Sequence, residues 1–103
     1  MSRSPRYWLT RAAEADLTEI AVYTLETWGE NQLLAYQKQL EQRLHSLLAF
    51  PDLGRKHPLL KSDILYVCEG RHYIFFRKSG GDIIVLRFLH CSCDLMTKLA
   101  AFL

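Results

Sequence analysis

The residues best equipped for chemistry in this chain stand together near its end, at His90-Cys91-Ser92-Cys93-Asp94. Two thiols, an imidazole and a carboxylate in five residues admit three kinds of chemistry. Structural zinc takes four ligands, commonly as two separated pairs. Here the single C-x-C pair has only Cys68 as a further thiol, so the pattern favours structural cysteines, small hydrophobes when buried, over a metal site. A cysteine nucleophile needs its base within hydrogen-bond reach. His90 and Cys91 are adjacent, and in a strand adjacent side chains point to opposite faces. His90 can meet Cys93 across a turn, but no third group is evident to orient the base. Metal-free cleavage of RNA asks for a base, an acid and cations on the phosphate. His90, His72, Glu69, Arg71, Arg77 and Arg87 supply those types, a set that many small basic proteins share.

The elements that must position these groups are legible. Arg6–Leu9 reads as a short strand, and Thr10 as the N-cap of a helix over Arg11–Thr27, with Ala13, Leu17, Ile20, Tyr23 and Thr24 at helical spacing. Gly29 breaks that helix, with Trp28 predicted to fold back onto the core. A second helix follows over Glu30–Ala49, with Leu33, Tyr36, Leu40, Leu44 and Leu47 as its stripe; the two make an antiparallel hairpin. Phe50-Pro51-Asp52-Leu53-Gly54-Arg55 ends it, and the loop lasts to Pro58. Three strands are then predicted at Ile64–Cys68, His72–Lys78 and Ile83–His90. Ser79-Gly80-Gly81-Asp82 is a hairpin turn between the last two. In that register Arg77 and Arg87 fall on opposite faces of the sheet. Leu95, Leu99 and Phe102 have the spacing of a short terminal helix over Leu95–Leu103.

The predicted fold is therefore α+β: β-α-α-β-β-β, a twisted antiparallel sheet with the N-terminal helical hairpin on one face. With 103 residues, no internal repeat and no linker, residues 1–103 read as one domain. Strands Tyr73–Phe76 and Ile83–Leu89 are apolar at both parities, whereas a sheet with one wet face alternates. The face away from the helices is accordingly expected to be covered by a partner. The terminal segment and the Arg55 loop are the alternative cover. Trp8, Trp28 and Tyr36 are expected in the core. A net charge of +2 is too small to argue for nucleic acid. No run approaches the roughly 20 apolar residues of a membrane span. The N-terminal MSRSPRYW lacks an apolar signal core, and three cysteines make a poor disulfide framework. All of this points to the cytoplasm.

Assembled in order, the motifs carry a resemblance. They are Ala13-x-x-Asp16-Leu17-x-x-Ile20, Trp28-Gly29, Tyr36, Pro51-x-Leu53-Gly54-Arg55, His72-Tyr73-Ile74-Phe75-Phe76-Arg77, and Ile84-x-Leu86-Arg87-x-Leu89-His90 with Asp94 four residues on. Across nearly the whole chain this resembles the ParE toxins of the RelE/ParE superfamily. The resemblance implies a toxin of a bacterial type II toxin–antitoxin pair that inhibits DNA gyrase. It also implies hetero-oligomers with a cognate antitoxin, which wraps around the toxin and alone contacts operator DNA. No cofactor and no metal are implied. In that light His90 and Asp94 match a His-x-x-x-Asp ending that ties the last strand to the terminal segment, and Cys91 and Cys93 are incidental.

Two alternatives stand beside this reading. The RelE-like branch cleaves messenger RNA on the ribosome, which would cast His90 as acid or base with Arg77 or Arg87 on phosphate. Leu65 stands where family members often carry arginine, and Cys91 where some ribonucleases have tyrosine, and both weaken it. The other alternative is a toxin-fold module without toxicity. Arg55, Lys56, Arg77, Arg87 and Lys98 are the expected contacts to target or antitoxin.

Overall fold

A computed structural model describes residues 4–92. The terminal helix expected at Leu95–Leu103, with Cys93, Asp94 and Lys98, lies outside the described residues.

The chain opens with β1 (Tyr7–Leu9) and turns into α1 (Arg11–Trp28). Thr10 is the N-cap: its backbone is extended and its hydroxyl oxygen accepts the Ala13 N–H at 3.1 Å. Gly29, at φ +91, separates α1 from α2 (Glu30–Ala49). A left-handed φ costs glycine nothing, so the chain reverses in one residue. Pro51–Leu53 forms a single 3-10 turn, and β2 (Leu65–Glu69), β3 (His72–Ser79) and β4 (Asp82–His90) follow. These ranges agree with the predicted elements to within a residue or so at each end.

The sheet order is β1-β4-β3-β2. The last three strands form the expected antiparallel meander, with Ser79 opposite Asp82 across the Gly80-Gly81 turn. β1 lies parallel to β4, with Tyr7 opposite Ile83. The sheet is thus mixed rather than wholly antiparallel, because the helical hairpin acts as part of a long crossover between those two strands. Asp82 fastens this junction, its carboxylate accepting the Arg6 backbone N–H at 3.0 Å and the Trp8 indole N–H at 3.1 Å.

The core lies between hairpin and sheet. Ala13, Leu40, Leu44 and Leu47 meet Leu65, Val67, Ile74, Phe76, Ile83, Val85 and Phe88. The opposite face holds a second cluster in which Leu60 and Ile64 pack with Phe75 and Leu89, flanked by Leu59, Tyr66, Tyr73 and Leu86. This corrects the expectation that a partner must cover that face. Residues 59–64 fold over it, and the bridge Arg55–Tyr66 pins the loop to the outer edge of β2. In the sequence the charges Arg55, Lys56 and Lys61 mask the apolar Leu59, Leu60 and Ile64 beside them.

Candidate functional site

Beyond Leu9 the chain leaves β1 for α1, so β4 past Val85 has no strand on that side. α1 takes the strand's place. The Thr10 N–H donates to Val85 O at 3.0 Å, the Thr10 hydroxyl donates to Leu86 O at 2.8 Å, and Asp16 accepts the Phe88 N–H at 2.9 Å. A β-bulge lies here. Phe76 pairs with Val85 and Phe75 with Arg87, leaving Leu86 as the extra residue. Bulges re-aim side chains, and this one accompanies an Arg87 side chain that reaches α1. Its Nε and Nη2 donate to the two Asp16 oxygens at 2.7 and 2.9 Å, a forked ion pair. Asp16 is 8% exposed, so the pair is largely shielded from water.

At the same end of the sheet, the Tyr36 ring from α2 lies against the Gly70 turn between β2 and β3. Gly70 sits at φ +55, and a Cβ there would lie 2.6 Å from Tyr36 Cε1. The Tyr36 hydroxyl has three neighbours: Glu69 O at 3.0 Å, Arg71 N at 3.2 Å and His72 Nδ1 at 2.6 Å. A phenol has one proton and two acceptor positions. All three contacts are satisfied when Tyr36 donates to Glu69 O and accepts from both Arg71 N–H and His72 Nδ1–H. That assigns the Nδ1–H tautomer to neutral His72 and leaves its Nε2 as an acceptor. Burial, then the charge His90 can carry, pushes His72 down to about 4, a shift Asp16 partly opposes.

His90 lies across the strand pair from His72, the rings edge to face with centroids 5.2 Å apart. Its Nδ1 accepts the Ser92 backbone N–H at 3.0 Å and stands 2.7 Å from the Ser92 hydroxyl, so its proton resides on Nε2. Arg71 spreads over Trp28, its guanidinium carbon 5.5 Å from the ring centre. Glu69 is engaged by Gln39 Nε2 at 2.6 Å and lies 3.7 Å from Arg43 Nε, within ion-pair range but not hydrogen-bonded. Two clefts flank the histidines. One, of about 360 Å³, runs between Trp28, Tyr23, Gln32 and Arg71; the other, of about 460 Å³, between Glu19, Ile20, Arg87 and Ser92.

The residues singled out from sequence do not converge. Arg87 is turned to Asp16, while Arg77 is exposed on β3 opposite Ile84, about 10 Å further along the strand. Arg55 and Lys56 are exposed beside β2, on the loop. Of the ribonuclease list, Glu69, Arg71, His72 and His90 gather here, with Arg87 at the border. Tyr36 and Asp16 are further members of this cluster, held to it by hydrogen bonds, that residue-type reasoning missed. Asp16 carried the signal, being an acid on the apolar stripe of α1 between Ala13 and Leu17. Trp8 and Trp28, expected in the core, are 50% and 57% exposed; Tyr36 is half-buried as a wedge between core and site. Among the described residues no group of three or more His, Cys, Asp or Glu could hold a metal ion.

This architecture, two helices on one face of a four-stranded sheet, superposes on a chain of the solved structure of the chromosomal ParDE TA system from P. aeruginosa. The TM-score is 0.70 at 21% identity, covering 86% of this chain and 98% of the other. The two chains thus share one small α+β fold. Residues 7–95 match the family model for the ParE toxin of type II toxin–antitoxin system, parDE. Among relatives, Toxin ParE of Escherichia coli is 39% identical over 99 residues, covering 91% of this chain and 92% of that protein. Toxin ParE1 of Mycobacterium tuberculosis is 34% identical over 93 residues, covering 89% and 95%. The chain belongs to the ParE toxin family.

Proposed function

We propose that this chain is the toxin of a ParE-type pair that acts in the cytoplasm by inhibiting DNA gyrase, without catalysis of its own, and is neutralised by a cognate antitoxin. Family membership supports the class. The observation that supports a non-enzymatic action is the capture of Arg87 by Asp16. Cleavage of RNA needs cations aimed at the transition-state phosphate. Arg87 is already engaged by a shielded carboxylate and Arg77 is remote from His90, which leaves Arg71, spread over Trp28, as the one cation of that set at the histidines, and the His90 Nδ1 lone pair is occupied by Ser92. Arg55, Lys56 and Arg77 are exposed cations that we assign to target contact, with Lys98 included from the sequence.

The deciding assay is supercoiling by purified gyrase with the purified toxin. Inhibition, with cleaved DNA accumulating, is the expected result. Undiminished supercoiling at micromolar toxin would refute the reading. Codon-linked cuts in messenger RNA after induction, abolished by His90→Ala, would establish the ribonuclease instead; growth without arrest would identify a module that has lost toxicity.

A further inference from the structure

We propose that the cleft between the α1–α2 break and the β2–β3 turn is a receptor for an acidic peptide segment, with Arg71 pairing a carboxylate and Trp28 and Tyr23 seating the apolar residue beside it. The proposal rests on the antitoxin reading above and assigns that segment to the antitoxin.

The cleft presents three features together. The first is a cation without a carboxylate: Arg71 lies over Trp28 and makes no ion pair among the described residues. A guanidinium on an aromatic face is pre-organised for a planar, forked acceptor. The second is apolar surface that the fold leaves uncovered, since Trp28 and Tyr23 are each 57% exposed on the same cleft. Partly exposed aromatics beside an arginine are the composition of interface anchors. The third is rigidity. Tyr36 ties the Gly70 turn to α2 through Glu69 O and Arg71 N, so the backbone carrying Arg71 is held in place before a ligand arrives. Glu69, two residues before Arg71, is hydrogen-bonded by Gln39 and in ion-pair range of Arg43, and does not compete. His90 Nε2–H supplies a further donor on the cleft wall.

Charge selects a peptide over nucleic acid. A nucleic-acid strand brings a phosphate about every 3.4 Å and calls for a row of cations. This cleft offers one permanent cation, because His72 is held neutral by burial. The adjoining cleft carries Glu19, and its Asp16 and Arg87 are paired with each other. One carboxylate with an apolar neighbour fits; a polyanion would find no row of cations to match it.

The test titrates the antitoxin encoded next to this chain's gene into the purified toxin by calorimetry. Arg71→Glu is expected to weaken binding about 100-fold, as for charge reversal at a desolvated pair. Arg71→Lys, which keeps the charge but not the fork, should cost about 10-fold, and Trp28→Ala about 10-fold or more. Lys38→Glu, on the exposed side of α2, serves as the control and should stay within about 3-fold. Circular dichroism and cooperative urea unfolding show that each variant folds. Folded Arg71→Glu and Trp28→Ala proteins that bind within about 3-fold of the unmodified toxin would overturn the proposal while sparing the antitoxin reading. No complex with the unmodified toxin would overturn both. Arg71-dependent binding of a short single-stranded DNA oligonucleotide, in place of antitoxin, would overturn it in favour of a nucleic-acid site.

Discussion

Replacing Asp16 by alanine tests the account of how the hairpin is fixed to the sheet. The substitution removes both charge-assisted bonds to Arg87 and the acceptor of the Phe88 N–H. Breaking a buried ion pair from one side costs about 3–5 kcal/mol. The Arg87 side chain is a quarter exposed, so water recovers part of that loss and the lower end applies, about 3 kcal/mol. Against a total stability of about 5–15 kcal/mol this is a large fraction. For a domain of this size it lowers Tm by roughly 12–24 °C. Urea unfolding followed by circular dichroism measures it directly. A double-mutant cycle with Arg87→Met separates the pair from its surroundings. The double variant should be more stable than Asp16→Ala alone, because the charge that lost its partner is gone. An Asp16→Ala cost below about 1 kcal/mol would refute the reasoning, since it would place the pair among surface bridges of little worth.

Further outcomes follow from the same geometry. Folded His72 titrates well below its unfolded value of about 6.5, so between pH 6.5 and about 4 the unfolded chain binds the extra proton and stability falls as pH drops. Discounted for partial exposure, the effect is about 2 kcal/mol, read as the difference in pH–stability slope between the unmodified chain and His72→Asn. Gly70→Ala places a methyl 2.6 Å from Tyr36 in a left-handed backbone and should cost about 2–4 kcal/mol by thermal unfolding. Thr10→Ala removes the α1 cap and the bond to Leu86 O together, for about 2 kcal/mol by the same measurement.

Much of this protein is legible in its sequence. Local rules placed Thr10 as a cap, Gly29 as the break between helices and Gly80-Gly81 as the turn, because each depends on residues close in the chain. Period-2 and period-3.6 patterns set element type for the same reason. The motif order pointed to the family, since relatives share the spacing of core residues as well as their types. The site was less legible. His72, His90, Glu69 and Arg71 were marked by type, but Tyr36 and Asp16 act through contacts 36 and 71 residues away in sequence, and no local pattern encodes such a distance. The parallel pairing of β1, the bulge that accompanies Arg87 turning to Asp16, and the folding of Leu60 and Ile64 over the far face belong to the tertiary structure alone. Each depends on which segments meet after the hairpin docks. The exposure of Trp8 and Trp28 has the same origin: a large apolar side chain is buried only where the fold has something to set against it, and here Asp82 holds the Trp8 indole N–H while Arg71 covers one face of Trp28.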